Sequence, residues 1–279
     1  MKISIGFSPC PNDTFIFDAL VNGKIDTEGL EFEVFLEDVQ TLNQWAIEKK
    51  LAVTKISYGV LPLIMKDYIL CNSGSALGTG VGPLLIKHPD VNTAVEDTVI
   101  SIPGENTTAH LLFSLAYPNA KQKRFVRYDE VENFVNDKLG YGVIIHENRF
   151  TYQKKGLEKI VDLGDFWEKE TNNFIPLGGI VADRSLSIAL QQKIDRLIKK
   201  SIVFAYENTK ELTPFIKNNA QEMSEEVMRQ HIQLYVNEYS IDLGNKGKEA
   251  VQKLLNVYQN IHEVAINTDE LIVPLPNHL

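Results

Sequence analysis

Apolar residues follow two rhythms through the first two-thirds of the chain, short β-rich runs alternating with stretches at helical spacing, the pattern of an α/β fold. Ile3–Ser8 reads as a strand, Thr14–Asn22 as a helix closed by Gly23, and Leu30–Leu36 as a second strand. Asp38–Lys49 then carries Val39, Leu42, Trp45 and Ala46 at helical intervals. A buried strand is expected at Val53–Ile56, followed by a turn or two of helix over Tyr58–Met65. Further strands are expected at Gly82–Lys87, Thr98–Ile102, Phe125–Tyr128 and Tyr141–Ile145, with helices at Thr107–Tyr117 and Asp129–Lys138. After Asp183 the rhythm changes: Leu186–Glu207, Glu211–Asn219, Glu225–Tyr239 and Gly247–His262 all read as amphipathic helices. The pattern predicts an α/β body with a helical C-terminal region and a loose arm from Asn267 through Pro274 and Pro276.

With 279 residues, 44% of them hydrophobic and 23% charged, the chain can bury a substantial core as one large domain or two smaller ones. A net charge of -9, without a Lys/Arg cluster, argues against a nucleic-acid partner. No stretch approaches the roughly 18 apolar residues that span a bilayer, and the run from Met1 to Phe7 meets Pro9 and Pro11 too early for a signal-peptide core. A cytoplasmic protein without membrane attachment is expected. Cys10 and Cys71 form no CxxC pair, which fits a reducing compartment and argues against a disulfide or zinc framework.

The segment Gly74–Pro83 holds four glycines, but it leads into a strand instead of following one and contains no Gly-Lys-Ser/Thr. A bend or hinge is favoured over a phosphate loop.

Four places carry candidate chemistry. Ser8–Phe15 turns from the first strand into a helix, and Asn12 or Asp13 can cap that helix, leaving backbone N–H groups facing a crevice. A capped turn without a ligand is the plain alternative. Cys10 in that turn reads first as a small residue in a tight loop. Lys55 follows an apolar strand with Ser57 on the same face, so it can hold a carboxylate or simply emerge into water. Thr107 and Thr108, with Ala109, open a helix whose N–H groups and dipole suit a carboxylate, although capping alone needs one threonine. His146 leaves the apolar run Tyr141–Ile145 at its mouth and suits a general base, the alternative being a structural histidine. His146-Glu147 begins like HExxH, but residue 150 is Phe and no other group has ligand spacing, so no metal is expected. His88, His110, His231, His262 and His278 have weaker cases on loops or helix faces.

Taken together, SPCPNDTFIF at Ser8–Phe17, LEDVQTLNQWA at Leu36–Ala46, TKISY at Thr54–Tyr58, ALGTGVGPLL at Ala76–Leu85, PGENTTAHLL at Pro103–Leu112 and IIHENRFTY at Ile144–Tyr152 resemble the 1,4-dihydroxy-6-naphthoate synthase family of the futalosine route to menaquinone. The resemblance continues through Asp162–Trp167 and Pro176–Ile180 to Val236, Asn237 and Ser240, nearly the whole chain. It implies a type II periplasmic-binding-protein-like fold, two α/β lobes around a cleft, running 1–88, then 89–180, then back to the first lobe over 181–279. Crossings are expected near Lys87–Asn92 and Gly178–Asp183. It further implies a carbon–carbon lyase that converts cyclic dehypoxanthinyl futalosine to 1,4-dihydroxy-6-naphthoate, with no cofactor and no metal. His146 matches the family's base, and Lys55, Ser57, Thr107, Thr108 and Ala109 match positions lining the substrate site, with Asn12 added from the residue reading.

Two other functions compete. A solute-binding protein for a small carboxylate shares the fold but is expected to carry a signal peptide or lipid-anchored cysteine. Chorismate dehydratase, of the same pathway and fold, is disfavoured by the SPCPNDTF and IIHENRF segments. In each case the partner is a small anionic molecule, and the sequence sets no oligomeric state.

Overall fold

The computed structural model describes residues 1–208, 210–220 and 224–275. β1 (Lys2–Phe7) runs into α1 (Pro11–Val21), then β2 (Glu31–Leu36), α2 (Val39–Ile47) and β3 (Val53–Ser57). The short elements α3 (Leu61–Ile64), β4 (Tyr68–Leu70) and β5 (Ala76–Gly78) follow. Next come β6 (Leu84–Lys87), β7 (Ile100–Ile102), α4 (Thr108–Ala116), β8 (Lys123–Phe125), α5 (Val131–Asn136) and β9 (Tyr141–Ile144). α6 (Asn148–Thr151), β10 (Glu158–Asp162), α7 (Leu163–Thr171) and β11 (Ile175–Asp183) complete the α/β part. The helices α8 (Ile188–Asn208), α9 (Pro214–Asn219), α10 (Glu225–Tyr235), α11 (Glu238–Ile241) and α12 (Gly244–His262) close the chain. None of the described helices is long and apolar enough to cross a membrane.

Two sheets result. One has the order β2-β1-β3-β11-β4 with β5 also on β11, and the other the order β10-β6-β9-β7-β8. The chain crosses between them at 79–83 and 172–174, earlier than the expected crossings near Lys87–Asn92 and Gly178–Asp183. Leu84–Ile86 of β6 are buried between β9 and β10, which fixes that strand in the second sheet. Residues Gly178–Ala182 form an antiparallel ladder with β3 in place of a crossing. Pro176 is accommodated where the β11–β5 register shifts between Pro176 and Gly178, the kind of irregularity that tolerates proline in a sheet.

α1 starts at Pro11, three residues before the expected Thr14, because proline at the first helical position has its φ preset and lacks the N–H that would be orphaned there. Asn12 and Asp13 therefore lie inside the first turn and do not cap it. Cys10 occupies the cap position without a side-chain bond. The expected helix Glu225–Tyr239 is broken after Tyr235, where Asn237 and Ser240 form a reciprocal capping box that starts α11. Pro276 and His278 lie outside the described residues.

α1 packs between the first sheet and α8, with Phe7, Phe17, Ile198 and Ile202 in its core. The C-terminal helices thus stiffen the lobe that carries the Ser8–Asp13 turn.

Candidate active site

Strand ends and loops of the two sheets face each other across a pocket whose empty space, open mouth included, is about 670 Å³. The pocket is lined by all seven residues singled out from the sequence: Asn12, Lys55, Ser57, Thr107, Thr108, Ala109 and His146. His88, His110 and His262 are not among its lining residues.

His146 stands where β9 must turn into α6 within three residues. Its φ of 57° lies in the left-handed region, which costs a residue with a Cβ about 1–3 kcal/mol and persists where the surroundings enforce it. The ring is half-buried. Burial pushes its pKa down to about 4, Asp13 and Asp38 pull it back up, and Lys55 pushes it further down. The imidazole is therefore neutral at pH 7. Its Nδ1 lies 3.7 Å from Sγ of Cys10, a thiol whose pKa burial and then the Glu147 charge push up.

Lys55 does not face the pocket as a bare charge. Its Nζ lies 3.0 Å from Oδ1 of Asp13 and donates to the Gly74 carbonyl at 2.9 Å. Asp13 in turn accepts from the Ser8 hydroxyl at 2.7 Å and the Ser8 N–H at 3.2 Å. An ammonium has three N–H groups, so one remains. Asp13 is the main residue the sequence reading undervalued; its signal was a carboxylate in the turn that the strand order brings against Lys55.

The two threonines have different tasks. Thr107 caps α4, accepting from the His110 N–H at 3.2 Å and donating to the Gly104 carbonyl at 2.9 Å. The Thr108 hydroxyl joins the lobes, donating to the Leu177 carbonyl at 2.8 Å and accepting from the Gly59 N–H at 3.0 Å. Neither hydroxyl proton is left for a carboxylate. The first-turn N–H groups of Thr108 and Ala109 take no partner among the described residues, which leaves them available as donors at the positive end of the helix. Gly59 makes the approach possible: a Cβ there would stand 2.5 Å from the Thr107 carbonyl carbon.

Asn43, fully buried, accepts from the Ser57 N–H at 2.9 Å and donates to the Ser57 hydroxyl at 3.1 Å and to the Asn106 carbonyl at 2.8 Å. It holds the end of β3 against the loop before α4 and leaves the Ser57 proton available. Asn12 donates to Asp13 at 2.9 Å, while its own Oδ1 is buried without a partner among the described residues, and a buried acceptor of this kind is normally satisfied.

The glycine-rich segment is structural. Carbonyls of Gly80 and Gly82 accept from Arg149, which also pairs with Asp162 at 2.7 Å. The Gly80 N–H donates to Glu168 at 2.8 Å, so it is not available to a phosphate.

His231, given little weight as a helix-face residue, is fully buried with neither ring nitrogen partnered among the described residues. A neutral imidazole always presents one donor and one acceptor, and leaving either unsatisfied costs about 1–3 kcal/mol. Its ring stacks on His146 with centroids 5.9 Å apart. Cys10, His146, Glu147 and His231 bring one ligand-type atom each within 4.8 Å of the others. Sequence spacing showed no such group because its members come from three distant segments.

The family profile described as menaquinone biosynthesis matches residues 3–260. The 1,4-dihydroxy-6-naphthoate synthase of Thermus thermophilus is 42% identical over 90% of this chain and 92% of its own length. Its counterpart from Streptomyces coelicolor is 38% identical over 91% of each. A crystal structure of a protein from Archaeoglobus fulgidus has a TM-score of 0.88 at 30% identity, covering 94% of this chain and 98% of the other. The periplasmic aliphatic sulphonate binding protein of Escherichia coli, at 9% identity and a TM-score of 0.66 over 98% of this chain and 92% of its own, shares the fold. The two-lobed architecture is thus periplasmic-binding-protein-like, and the chain belongs to the 1,4-dihydroxy-6-naphthoate synthase family of menaquinone biosynthesis.

Proposed function

We propose that this enzyme is a cytoplasmic carbon–carbon lyase that converts cyclic dehypoxanthinyl futalosine into 1,4-dihydroxy-6-naphthoate, with His146 as general base. The observation that carries the reading is a neutral imidazole held at the strand mouth within the interlobe pocket. A base at neutral pH must be unprotonated to accept a proton, and burial keeps His146 so. In the tautomer that carries its proton on Nδ1, the nitrogen 3.7 Å from Cys10 Sγ, Nε2 holds the lone pair that receives the substrate proton. Proton removal from the sugar-derived ring starts the cleavage, and aromatisation of the naphthalenediol drives it once the carbon fragment leaves.

The substrate carboxylate is assigned to the Thr108 and Ala109 N–H groups together with the remaining Lys55 N–H, all on the same pocket. Asn12 Oδ1 and the Ser57 hydroxyl suit sugar hydroxyls. Closure of the lobes holds one conformer and excludes water, so positioning adds to the base. The chemistry asks for a free imidazole lone pair and for no metal or nucleotide.

Incubation of the purified protein with cyclic dehypoxanthinyl futalosine, and separately with chorismate, followed by the absorbance of the aromatic product, tests the reading. Turnover of the first substrate alone is expected. Turnover of chorismate would make the protein a dehydratase, and binding of a small carboxylate without turnover of either would make it a receptor.

A further inference from the structure

The cluster beside His146 draws two side chains from each lobe. Cys10 precedes α1 and His231 lies on α10, which packs against α1, whereas His146 and Glu147 follow β9 of the second sheet. Cys10, Glu147 and His231 are buried, and both ring nitrogens of His231 lack partners among the described residues. In a tetrahedral zinc site, with bonds of about 2.3 Å to sulfur and 2.0–2.1 Å to nitrogen, those two ligand atoms stand about 3.6 Å apart. Sγ of Cys10 and Nδ1 of His146 are 3.7 Å apart. The other separations all lie within 4.8 Å, against about 3.3–3.6 Å between the ligand atoms of a tetrahedral zinc, so metal binding requires shifts of up to about 1.5 Å. A thiolate, two imidazoles and a carboxylate form a borderline-soft set that suits zinc and not magnesium or calcium.

We propose that Cys10, His146, Glu147 and His231 form a zinc(II) site that ties the two lobes together and switches the enzyme off. The site stands on geometry; only the inhibition rests on His146 being the base. As the zinc–sulfur bond forms, the Cys10 thiol proton passes to solvent, and the imidazoles bind as neutral ligands. Ligation of His146 through Nδ1, the nitrogen facing Cys10, places the ring proton on Nε2. The nitrogen that would accept the substrate proton is then already protonated, and lobes tied through a metal no longer open to exchange substrate.

The test uses the whole protein, stripped with chelator and desalted, titrated with zinc by calorimetry and with cobalt(II) by absorption spectroscopy. One saturable equivalent with proton release is expected, together with the visible bands of four-coordinate cobalt and a near-ultraviolet thiolate-to-cobalt band. Cys10→Ser should lose the thiolate band. Loss of an outer-shell partner alone weakens metal sites 10–100-fold, so Cys10→Ser and His231→Gln should each weaken zinc binding at least about a hundredfold. One equivalent of zinc should abolish wild-type turnover of the futalosine derivative, EDTA should restore it, and His231→Gln should be insensitive at the same zinc concentration. An octahedral cobalt spectrum, or zinc affinity unchanged in both variants, overturns the site. Tight zinc binding with turnover undiminished overturns the switch. If stripped enzyme turns over no futalosine derivative at all, the assigned reaction fails while the two metal titrations still decide the site.

Discussion

Nζ of Lys55 and Oδ1 of Asp13 stand 3.0 Å apart with both side chains almost wholly buried. The Ser8 N–H and hydroxyl fix the Asp13 carboxylate independently, so the pair sets the position of the Lys55 ammonium more than it adds positive charge to the pocket. Removing one member of a buried pair leaves an uncompensated charge and typically costs about 3–5 kcal/mol. Lys55→Met is expected to lower unfolding stability by that amount in urea denaturation, and the double variant Lys55→Met/Asp13→Asn should recover most of it. Additive losses would show that the pair does not interact.

The two threonines at the start of α4 should separate cleanly. Thr107→Val removes a helix cap, worth about 1 kcal/mol of stability, and should change KM little. Thr108→Val removes the link between the Leu177 carbonyl and the Gly59 N–H, and should raise KM about tenfold, the effect of roughly 1.4 kcal/mol. Unfolding curves and KM measured on both variants check this; equal KM values for the two would refute the division of labour.

Gly59→Ala should act without any change of charge. The added Cβ would meet backbone atoms, the Thr107 carbonyl carbon at 2.5 Å and the Thr108 nitrogen at 2.7 Å, and backbone cannot rotate aside. The α4 N-terminus is expected to move away from β3, with KM rising about tenfold or more while circular dichroism stays that of the wild type. An unchanged KM would mean that the lobes approach less closely in solution.

The sequence made some of this architecture legible and hid the rest for physical reasons. Strands β1, β2, β3 and β9 carry continuous apolar or alternating patterns and were placed within about two residues, the usual boundary error. β11 was hidden because Pro176, Gly178 and Gly179 look like chain breakers, although a shift in register absorbs them. β4, β10 and α7 are short or polar on their exposed side and escaped notice. Of the site, the turn residues could be named because strand-to-helix junctions bind ligands. Their hydrogen-bond assignments could not: that Thr107 and Thr108 give their protons to carbonyls, and that Asp13 occupies Lys55, depends on contacts across the fold. His231 carried no sequence signal, since its approach to His146 is made by α10 folding back onto α1.

Chelation distinguishes a free base from a metal-assisted one. His146 needs its lone pair uncommitted, so enzyme treated with EDTA should keep or gain turnover. Activity lost on chelation and restored by zinc or manganese would contradict the assigned chemistry.

The most direct test of the central claim is kcat for His146→Asn with cyclic dehypoxanthinyl futalosine, alongside substrate binding measured by calorimetry. Loss of a general base costs about 10²–10⁴ in rate, so kcat should fall by that factor while the dissociation constant changes by no more than a few-fold. A variant that turns over within a few-fold of the wild type would contradict the role of His146 as the base.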